Sequence, residues 1–467
     1  MSFLFRPVRL LLASSLVLAG TAVVSPTTFA AGSGTERQVI KVGAVIDQTG
    51  GSTTLLYKAA VELAVRQMNQ ALEKAGSEVR FDLVLGDSKS NPPFAQSEAL
   101  RLINQDGVKA LVTDSSGVTV AVNKLNYDPA TQAKQKVPIT CFQCSSSFIN
   151  DPAFTDADAV NQAAQRDADN WLFRVFYVAK YEAAALVQIA LKRTADGKGN
   201  GDGTFKIAIY ADNGHRALAT SIPPLVASFY KGKATTEIVY LTNPADLSAG
   251  WAKVVDDKSE SGATEGAPDV VIVAMLPEQA AKAIEAYRKA GHTIPILSNN
   301  SFRRDYILKD LGAVANGLEG SSVTQVDKSA SGKAFLKAFQ AAAGQAPEMT
   351  ASGAYDATAT LLLAALSAAG DPKHPKDVTP AAIRDGLAKI NASGGKTIRP
   401  TVEDYTAAVK ALGRGKPINY EGAYHSIDWD AAGDMYPPLV HWVVENGKFV
   451  ERELYRCDPQ HPLCPVK

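Results

Sequence analysis

Two serine-rich loops follow apolar segments that the sequence predicts to be strands. One covers residues 115–117, Ser-Ser-Gly, and opens a helix; the other covers residues 143–147, Gln-Cys-Ser-Ser-Ser. Hydroxyl groups and free backbone N–H groups at a helix N-terminus suit a carboxylate. A simpler interpretation is that a serine only caps its helix. Because neighbouring strands supply two such loops, we predict a small-molecule site that includes Ser115, Ser116, Gln143 and Ser145.

The four cysteines fall into two local pairs, Cys141 with Cys144 and Cys457 with Cys464. Disulfides are the default for such pairs in an oxidising compartment, and a bond in the second pair would fix the C-terminal tail. The first pair also has the spacing of a redox C-x-x-C motif, which needs a helix N-terminus to lower the thiol pKa. Here the motif follows an apolar strand, so a structural role is favoured. A zinc site made of all four cysteines is disfavoured by the long separation of the pairs.

Motifs that carry catalysis are missing from the sequence. It has no G-x-S-x-G and no H-E-x-x-H, and the six histidines are scattered without metal-ligand spacing. Gly395-Lys396-Thr397 resembles the end of a phosphate-binding loop, but Ile390 stands where that loop needs glycine. We therefore expect neither an enzyme nor a bound metal or cofactor.

The first 30 residues have the pattern of a secretory signal. Arg6 and Arg9 precede an apolar run, residues 10–24, and small residues follow near position 30. Thr21 stands where a lipoprotein signal has cysteine, so we expect a periplasmic protein without a lipid anchor. The formal net charge of the whole chain is +0, which gives no basic excess for a nucleic-acid partner.

Strand and helix patterns alternate along the rest of the chain. Apolar strand patterns begin at Val39 and alternate with helical patterns, which is typical of a parallel, doubly wound sheet. A second round of alternation covers residues 175–298, helical patterns follow it, and a hairpin closes the chain around Glu445-Asn446-Gly447.

Several stretches, in this order and spacing, resemble one family. They include Val42-Gly43-Ala44-Val45, the segments 206–210 and 269–272, and above all residues 354–357 (Ala-Tyr-Asp-Ala) and 418–423 (Ile-Asn-Tyr-Glu-Gly-Ala). The chain resembles the periplasmic substrate-binding proteins of branched-chain amino-acid-type ABC transporters, the leucine/isoleucine/valine-binding proteins. The resemblance implies a type I periplasmic binding fold, α/β, with two Rossmann-like doubly wound lobes joined by a three-segment hinge. The implied division is a signal at 1–30, a first lobe at 37–174 plus 299–426, a second lobe at 175–298 plus 427–455, and a disulfide-stapled tail at 456–467.

The same resemblance assigns roles to individual residues. Ser116 and Ser145 match residues that hold an amino acid's α-carboxylate and α-ammonium, and Gln143 matches a residue that contributes its backbone. In the second lobe, residues 212–216 replace a Tyr-Gly pair, and Arg216 adds a cation there. That cation favours a ligand with a second acidic group or one that is not an amino acid, although it could instead be a solvated side chain at a helix start. The other second-lobe residues implied in the site are His215, Asp246 (near an acidic position that could pair an ammonium), Met275 and Asn299.

The expected function is that of a monomeric solute receptor. It closes on a small-molecule ligand, an amino acid or a small carboxylate or amide, and delivers it to the membrane subunits of an ABC permease. Two alternatives stay open: a receptor that reports to a sensor kinase, and a thiol oxidoreductase that uses Cys141 and Cys144. A hydrolase is a remote third.

Overall fold

The computed structural model describes residues 37–50, 56–131, 133–193, 205–230, 234–255, 267–324, 326–462 and 464. The predicted signal, residues 1–30, and part of the predicted tail lie outside these ranges. No helix within them is long and apolar enough to cross a bilayer.

The first lobe contains a parallel five-stranded sheet. Its order is β2-β1-β3-β4-β5, so the chain starts at an inner strand and reverses direction between β1 and β3. From Val42 to Ile46, β1 is apolar and buried, because helices cover both faces of the sheet, as parallel sheets require. The strands are β1 (Gln38–Ile46), β2 (Val79–Asp87), β3 (Leu111–Ser115), β4 (Ile139–Gln143) and β5 (Leu172–Arg174).

Two groups of helices cover this sheet. On one face α1 (Tyr57–Ala75) packs against α11 (Met349–Ala369), which is buried along almost its whole length. Gly76 ends α1 in the left-handed region, at φ 66°, where glycine is favoured. The other helices on this face are α10 (Ala330–Ala343), α12 (Pro380–Leu387) and α13 (Val402–Leu412), with a small sheet of β11 (Lys396–Ile398) and β12 (Ile418–Tyr420); the opposite face carries α2 (Pro92–Arg101), α3 (Ser116–Asn123) and α4 (Ala159–Arg166).

The second lobe repeats this plan and extends it. Its seven-stranded sheet has the order β14-β13-β10-β9-β8-β6-β7 and reverses between β6 and β8. The strands are β6 (Phe205–Ala211), β7 (Ala234–Tyr240), β8 (Val270–Ala274), β9 (Ile296–Ser298), β10 (Glu319–Val323), β13 (Leu439–Glu445) and β14 (Lys448–Tyr455). The helices are α5 (Ala179–Arg193) and α6 (Arg216–Tyr230), which pack together, and α7 (Leu247–Val255), α8 (Pro277–Lys289) and α9 (Asp305–Leu311).

The predicted lobe boundaries need one correction. Residues 299–426 were assigned to the first lobe, but β10 lies inside that range and pairs with β9 and, antiparallel, with β13 of the second sheet. The sequence of β10, Glu-Gly-Ser-Ser-Val, lacks the apolar run that marked the other buried strands. The chain crosses between the lobes after β5, after β10 and after β12.

A buried aspartate fixes the third crossing. Asp356, in α11, accepts hydrogen bonds from the backbone N–H groups of Ala423 (2.8 Å) and Tyr424 (2.7 Å) and from the Tyr420 hydroxyl (2.8 Å). Burial raises the pKa of this carboxyl to about 7, and the three hydrogen bonds limit the rise. The two stretches of sequence that most resemble the family, 354–357 and 418–423, therefore meet at one hydrogen-bonded junction.

Candidate ligand site between the strand ends

The carboxyl ends of the first lobe's strands form one edge, organised by a buried aspartate. Asp114, at the end of β3, accepts hydrogen bonds from the Asp47 backbone N–H after β1 and from the Ser88 hydroxyl after β2, both at 2.8 Å. Its other oxygen accepts the backbone N–H of Ser115. Burial raises the pKa of Asp114 despite these bonds. The carboxylate spans the point where strand order reverses, which is where ligands bind in such sheets.

The structure brings the four predicted first-lobe residues to this edge. Ser116 accepts the backbone N–H of Ser146 on its hydroxyl at 3.1 Å, which ties the β3 and β4 loops together. The Ser145 carbonyl accepts the N–H of Ala179 at 2.7 Å, and the Gln143 side chain accepts the Tyr57 hydroxyl at 3.0 Å. Ser115 occupies the N-cap position of α3, but its side chain forms no capping bond with the described chain. The capping interpretation is therefore wrong for Ser115.

Ser116 also faces a cavity that lies within the first lobe. The cavity has a volume of about 350 Å³. Its lining is mostly polar or small, and comes from α2, α3, α4 and the β4 loop: Pro92, Ser116, Gly117, Val120, Ala121, Lys124, Ser146, Asn161 and Gln165. Because these residues all belong to one lobe, lobe closure is not needed to form this cavity.

The second lobe has a matching edge with a different charge pattern. Asp212, which follows β6, accepts the backbone N–H of Leu276 after β8 at 2.7 Å. Its other oxygen accepts both the backbone N–H (2.9 Å) and the ring Nδ1 (2.8 Å) of His215. Burial alone would raise the pKa of Asp212, but the hydrogen bonds and charge of His215 outweigh burial and the pKa is lowered.

The other predicted second-lobe residues are spread along this edge. Arg216 is exposed, and its guanidinium lies 5.0 Å from the ring centre of Tyr240. Asp246 is exposed on a short 3-10 helix after β7. Met275 and Asn299 are buried, and each accepts a hydrogen bond from the Ser301 hydroxyl, Met275 on its carbonyl (2.8 Å) and Asn299 on its side-chain oxygen (3.2 Å). These bonds give both residues a role in loop structure.

Sequence reasoning missed a group of buried residues near the hinge. Glu182 in α5 is buried and accepts the backbone N–H of Asn300. Burial raises the pKa of its carboxyl to about 8, with the bonds from Asn300 and Tyr177 limiting the rise. Tyr57 and Arg304 are buried as well. The only sequence signal for Arg304 was two adjacent arginines shortly after the β9 strand pattern.

The two edges come into contact with one another. The Ser147 hydroxyl, in the β4 loop, lies 3.5 Å from the Ser221 hydroxyl in α6, and it accepts the backbone N–H of Lys180 at 2.9 Å. The positive charge of Arg304 lowers the pKa of the Tyr57 hydroxyl against the larger rise caused by burial. The charge of Arg304 in the second lobe therefore acts on a side chain at the start of α1 in the first lobe.

A buried arginine holds the β4 loop in place. Arg174, the last residue of β5, is fully buried and donates from Nε to Asp434 at 2.8 Å. Its Nη atoms donate to the carbonyls of Cys144 (3.2 Å), Ser146 (2.9 Å) and Ile149 (2.6 Å). The loop that carries Ser145 is thus fixed from the first crossing segment.

The cysteines form the two local disulfides, Cys141 with Cys144 and Cys457 with Cys464. Cys141 and Cys144 are both fully buried, and Cys141 lies within β4. Thiol–disulfide exchange needs an accessible sulfur near a helix N-terminus or a cation. This placement supports a structural bond and does not favour the oxidoreductase alternative.

Comparison with known proteins agrees with this architecture. A family model described as "Periplasmic binding protein" matches residues 39–411. The leucine binding protein LivK of Thermotoga maritima is 17% identical, with a TM-score of 0.63 over 90% of this chain and 99% of its own. LivJ of Streptococcus pneumoniae, solved in complex with isoleucine, is 20% identical, with a TM-score of 0.58 over 89% and 100%. An ABC transporter solute binding protein of R. palustris, solved in complex with benzoate, is 18% identical, with a TM-score of 0.58 over 92% and 98%.

These likenesses confirm the predicted fold class, two α/β lobes in the type I periplasmic binding arrangement. A comparison with curated protein sequences gives no significant match.

Proposed function

Because the chain belongs to the periplasmic binding protein family, we propose that it is the solute-binding component of an ABC importer. It binds one amino acid, or a related small polar or carboxylate ligand, between its two lobes and presents the closed form to the permease membrane subunits. It acts as a monomer in the periplasm, exported by the signal at residues 1–30 and not lipid-anchored. It does not transform the ligand.

The observation that carries this proposal is the pairing of the two strand-end edges. Each edge lies at the carboxyl ends of a parallel sheet, next to the point where strand order reverses, and ligands bind there in sheets of this type. The crossings after β5, β10 and β12 allow the lobes to rotate as bodies. A ligand that contacts both lobes stabilises the closed state over the open one.

The proposed contacts in the first lobe are Ser115, Ser116, Gln143 and Ser145. In the second lobe they are His215, Arg216, Asp246, Met275 and Asn299. Their positions at the carboxyl ends of β3, β4, β6, β7, β8 and β9, or in the segments that follow these strands, support this set. Since Met275 and Asn299 are buried and already bonded to Ser301, they act mainly by shaping the loops that meet the ligand.

A ligand screen tests the proposal. Thermal unfolding of the purified protein is followed with leucine, isoleucine, valine, amino-acid amides, short carboxylates and benzoate. A ligand at 100 times its Kd stabilises the folded state by about 2.7 kcal/mol, so the shift must grow with concentration. Hits are confirmed by calorimetry, and the solute must be recovered unchanged. If every solute leaves the unfolding temperature unchanged, the proposed function is wrong.

A further inference from the structure

Arg304 is a buried cation that forms no ion pair with any acidic residue the structure describes. Its side chain lies in the loop between β9 and α9, and the residue is only 5% exposed. Nη1 donates to the carbonyls of Asn300 (3.3 Å) and Arg303 (2.9 Å). Within the described ranges, Nε and Nη2 have no hydrogen-bond partner, and no carboxylate pairs with the guanidinium.

This arrangement differs from that of the neighbouring arginine. Arg303 is buried to a similar degree, but it is paired with Glu451 at 2.9 Å and donates to the Ser322 hydroxyl at 2.8 Å. A buried charge is costly unless it is paired and hydrogen-bonded. The unused donors of Arg304 therefore mark a place for an anion that the described chain does not supply.

Arg304 lies in the strand-end segment of the second lobe where a ligand contact is expected. β9 takes the same place in the second sheet that β4 takes in the first, so Arg304 corresponds in position to the loop that carries Ser145. Its charge also reaches the Tyr57 hydroxyl, which donates to Gln143 at the opposite edge. A ligand that spans the two edges meets Arg304 on the second-lobe side.

We infer that Arg304 binds the carboxylate of the ligand. This inference rests on the proposed function and narrows it. It also sets an orientation, since the carboxylate faces the second lobe and the remainder of the ligand faces Tyr57 and the first-lobe serines. Arg216, the cation expected from the sequence, stacks on Tyr240 instead.

Two pairs of matched probes test the ligand class by calorimetry. Benzoate and benzamide differ in the carboxylate, and so do leucine and leucinamide. We expect the protein to bind the carboxylate of each pair more tightly than the amide. The opposite order in a pair that binds overturns the inference.

Substitution of Arg304 tests the residue. In Arg304→Gln, carboxylate affinity should fall roughly 10- to 100-fold, because a charge-assisted hydrogen-bond pair is lost; Arg304→Lys should lose less. Arg288→Gln is the matched control, since Arg288 also donates to a backbone carbonyl but lies at the far end of α8. A thermal unfolding curve of ligand-free Arg304→Gln close to that of the native protein shows that the loss is one of binding.

The outcomes separate this inference from the proposed function. If an amide or another uncharged solute binds and no solute with a carboxylate does, the receptor function stands and the inference is wrong. Carboxylate binding that survives Arg304→Gln, or that is lost in Arg216→Gln instead, also overturns the role of Arg304. If no solute in the wider screen binds, both proposals fail together.

Discussion

The two strand-end edges are built on one plan but differ in charge. Each has an aspartate that accepts a backbone N–H across the point where strand order reverses, Asp114 in the first lobe and Asp212 in the second. Around Asp114 the donors are backbone N–H groups and the Ser88 hydroxyl, whereas Asp212 pairs with His215. Arg216 and Arg304 add positive charge only to the second edge.

This difference suggests a division of roles, in which the first edge determines the shape of the site and the second edge determines which ligand charge it selects. The first edge is held in a fixed geometry by buried bonds, above all those of Arg174, and offers neutral hydroxyl groups. The second edge supplies charge. A ligand's acidic group is therefore drawn to the second lobe, and closure brings the first lobe against the remainder of the ligand.

The largest expected effect comes from breaking the framework of the first edge. In Arg174→Met, Asp434 loses its buried cation and the carbonyls of the β4 loop lose their donor. Removing one partner of a buried ion pair costs about 3–5 kcal/mol, so chemical denaturation should show that loss in unfolding free energy. Arg101→Met is the control, because Arg101 forms partly exposed ion pairs on α2 that are worth less than about 1 kcal/mol. Similar losses in the two variants would contradict the assigned role of Arg174.

The next largest effect is expected from Glu182, the buried carboxyl in α5, and concerns the pH dependence of stability. Because burial raises the pKa of Glu182 to about 8, its contribution to stability is complete below its unfolded pKa and is lost as the pH rises through 8. Glu182→Gln removes this titration. Relative to the native protein, the variant should gain stability between pH 5 and pH 9, by up to a few kcal/mol, measured as unfolding free energy.

Glu285→Gln serves as the control for Glu182. Glu285 lies in the same lobe, is partly exposed and pairs with Lys289 on the surface of α8. A stability difference for Glu182→Gln that stays constant across this pH range would show that the carboxyl is not held in its neutral form.

The two aspartates should respond to pH in opposite directions. The pKa of Asp114 is raised by burial, so its contribution is present at low pH and is lost as the pH rises above 3.8 toward the folded-state value. The pKa of Asp212 is lowered by His215 against the effect of burial, so its contribution is present above 3.8 and is lost on acidification. Unfolding temperatures measured from pH 3 to pH 8 should show the deficit of Asp114→Asn shrinking and that of Asp212→Asn growing as the pH rises. If the stability deficits of the two variants changed with pH in the same direction, the proposed electrostatic difference between the edges would be wrong.

The sequence allowed the lobes and most strands to be predicted because their patterns are local. The apolar run of β1 and the helix face of α1 with its stop at Gly76 are visible within twenty residues. β10 was missed because a strand of Glu-Gly-Ser-Ser-Val becomes buried only by pairing with β13, more than one hundred residues later.

The site was predicted less completely, for a related reason. Serines after a strand are recognisable in sequence, so Ser116 and Ser145 could be assigned to a strand end, and their contact with a ligand stays a prediction. Whether an arginine is free to bind a ligand cannot be recognised in the same way, because it depends on which residues the fold brings next to it. Arg216 stacks on Tyr240, Arg303 forms an ion pair with Glu451, and Arg304 pairs with none of the described carboxylates. Only the folded structure distinguishes these three arginines.

The smallest expected effect comes from the neutral edge. Ser116→Ala and Ser145→Ala should each weaken ligand binding by about 1–3 kcal/mol, because a ligand group loses a hydrogen bond in a site closed from water. Ser116→Ala also leaves the Ser146 N–H without its acceptor, so its effect should exceed that of Ser145→Ala, where the bonded carbonyl is retained. Calorimetry with the best solute of the screen measures both. If neither variant changes the affinity, the ligand does not contact these serines and binding depends on the charged edge alone.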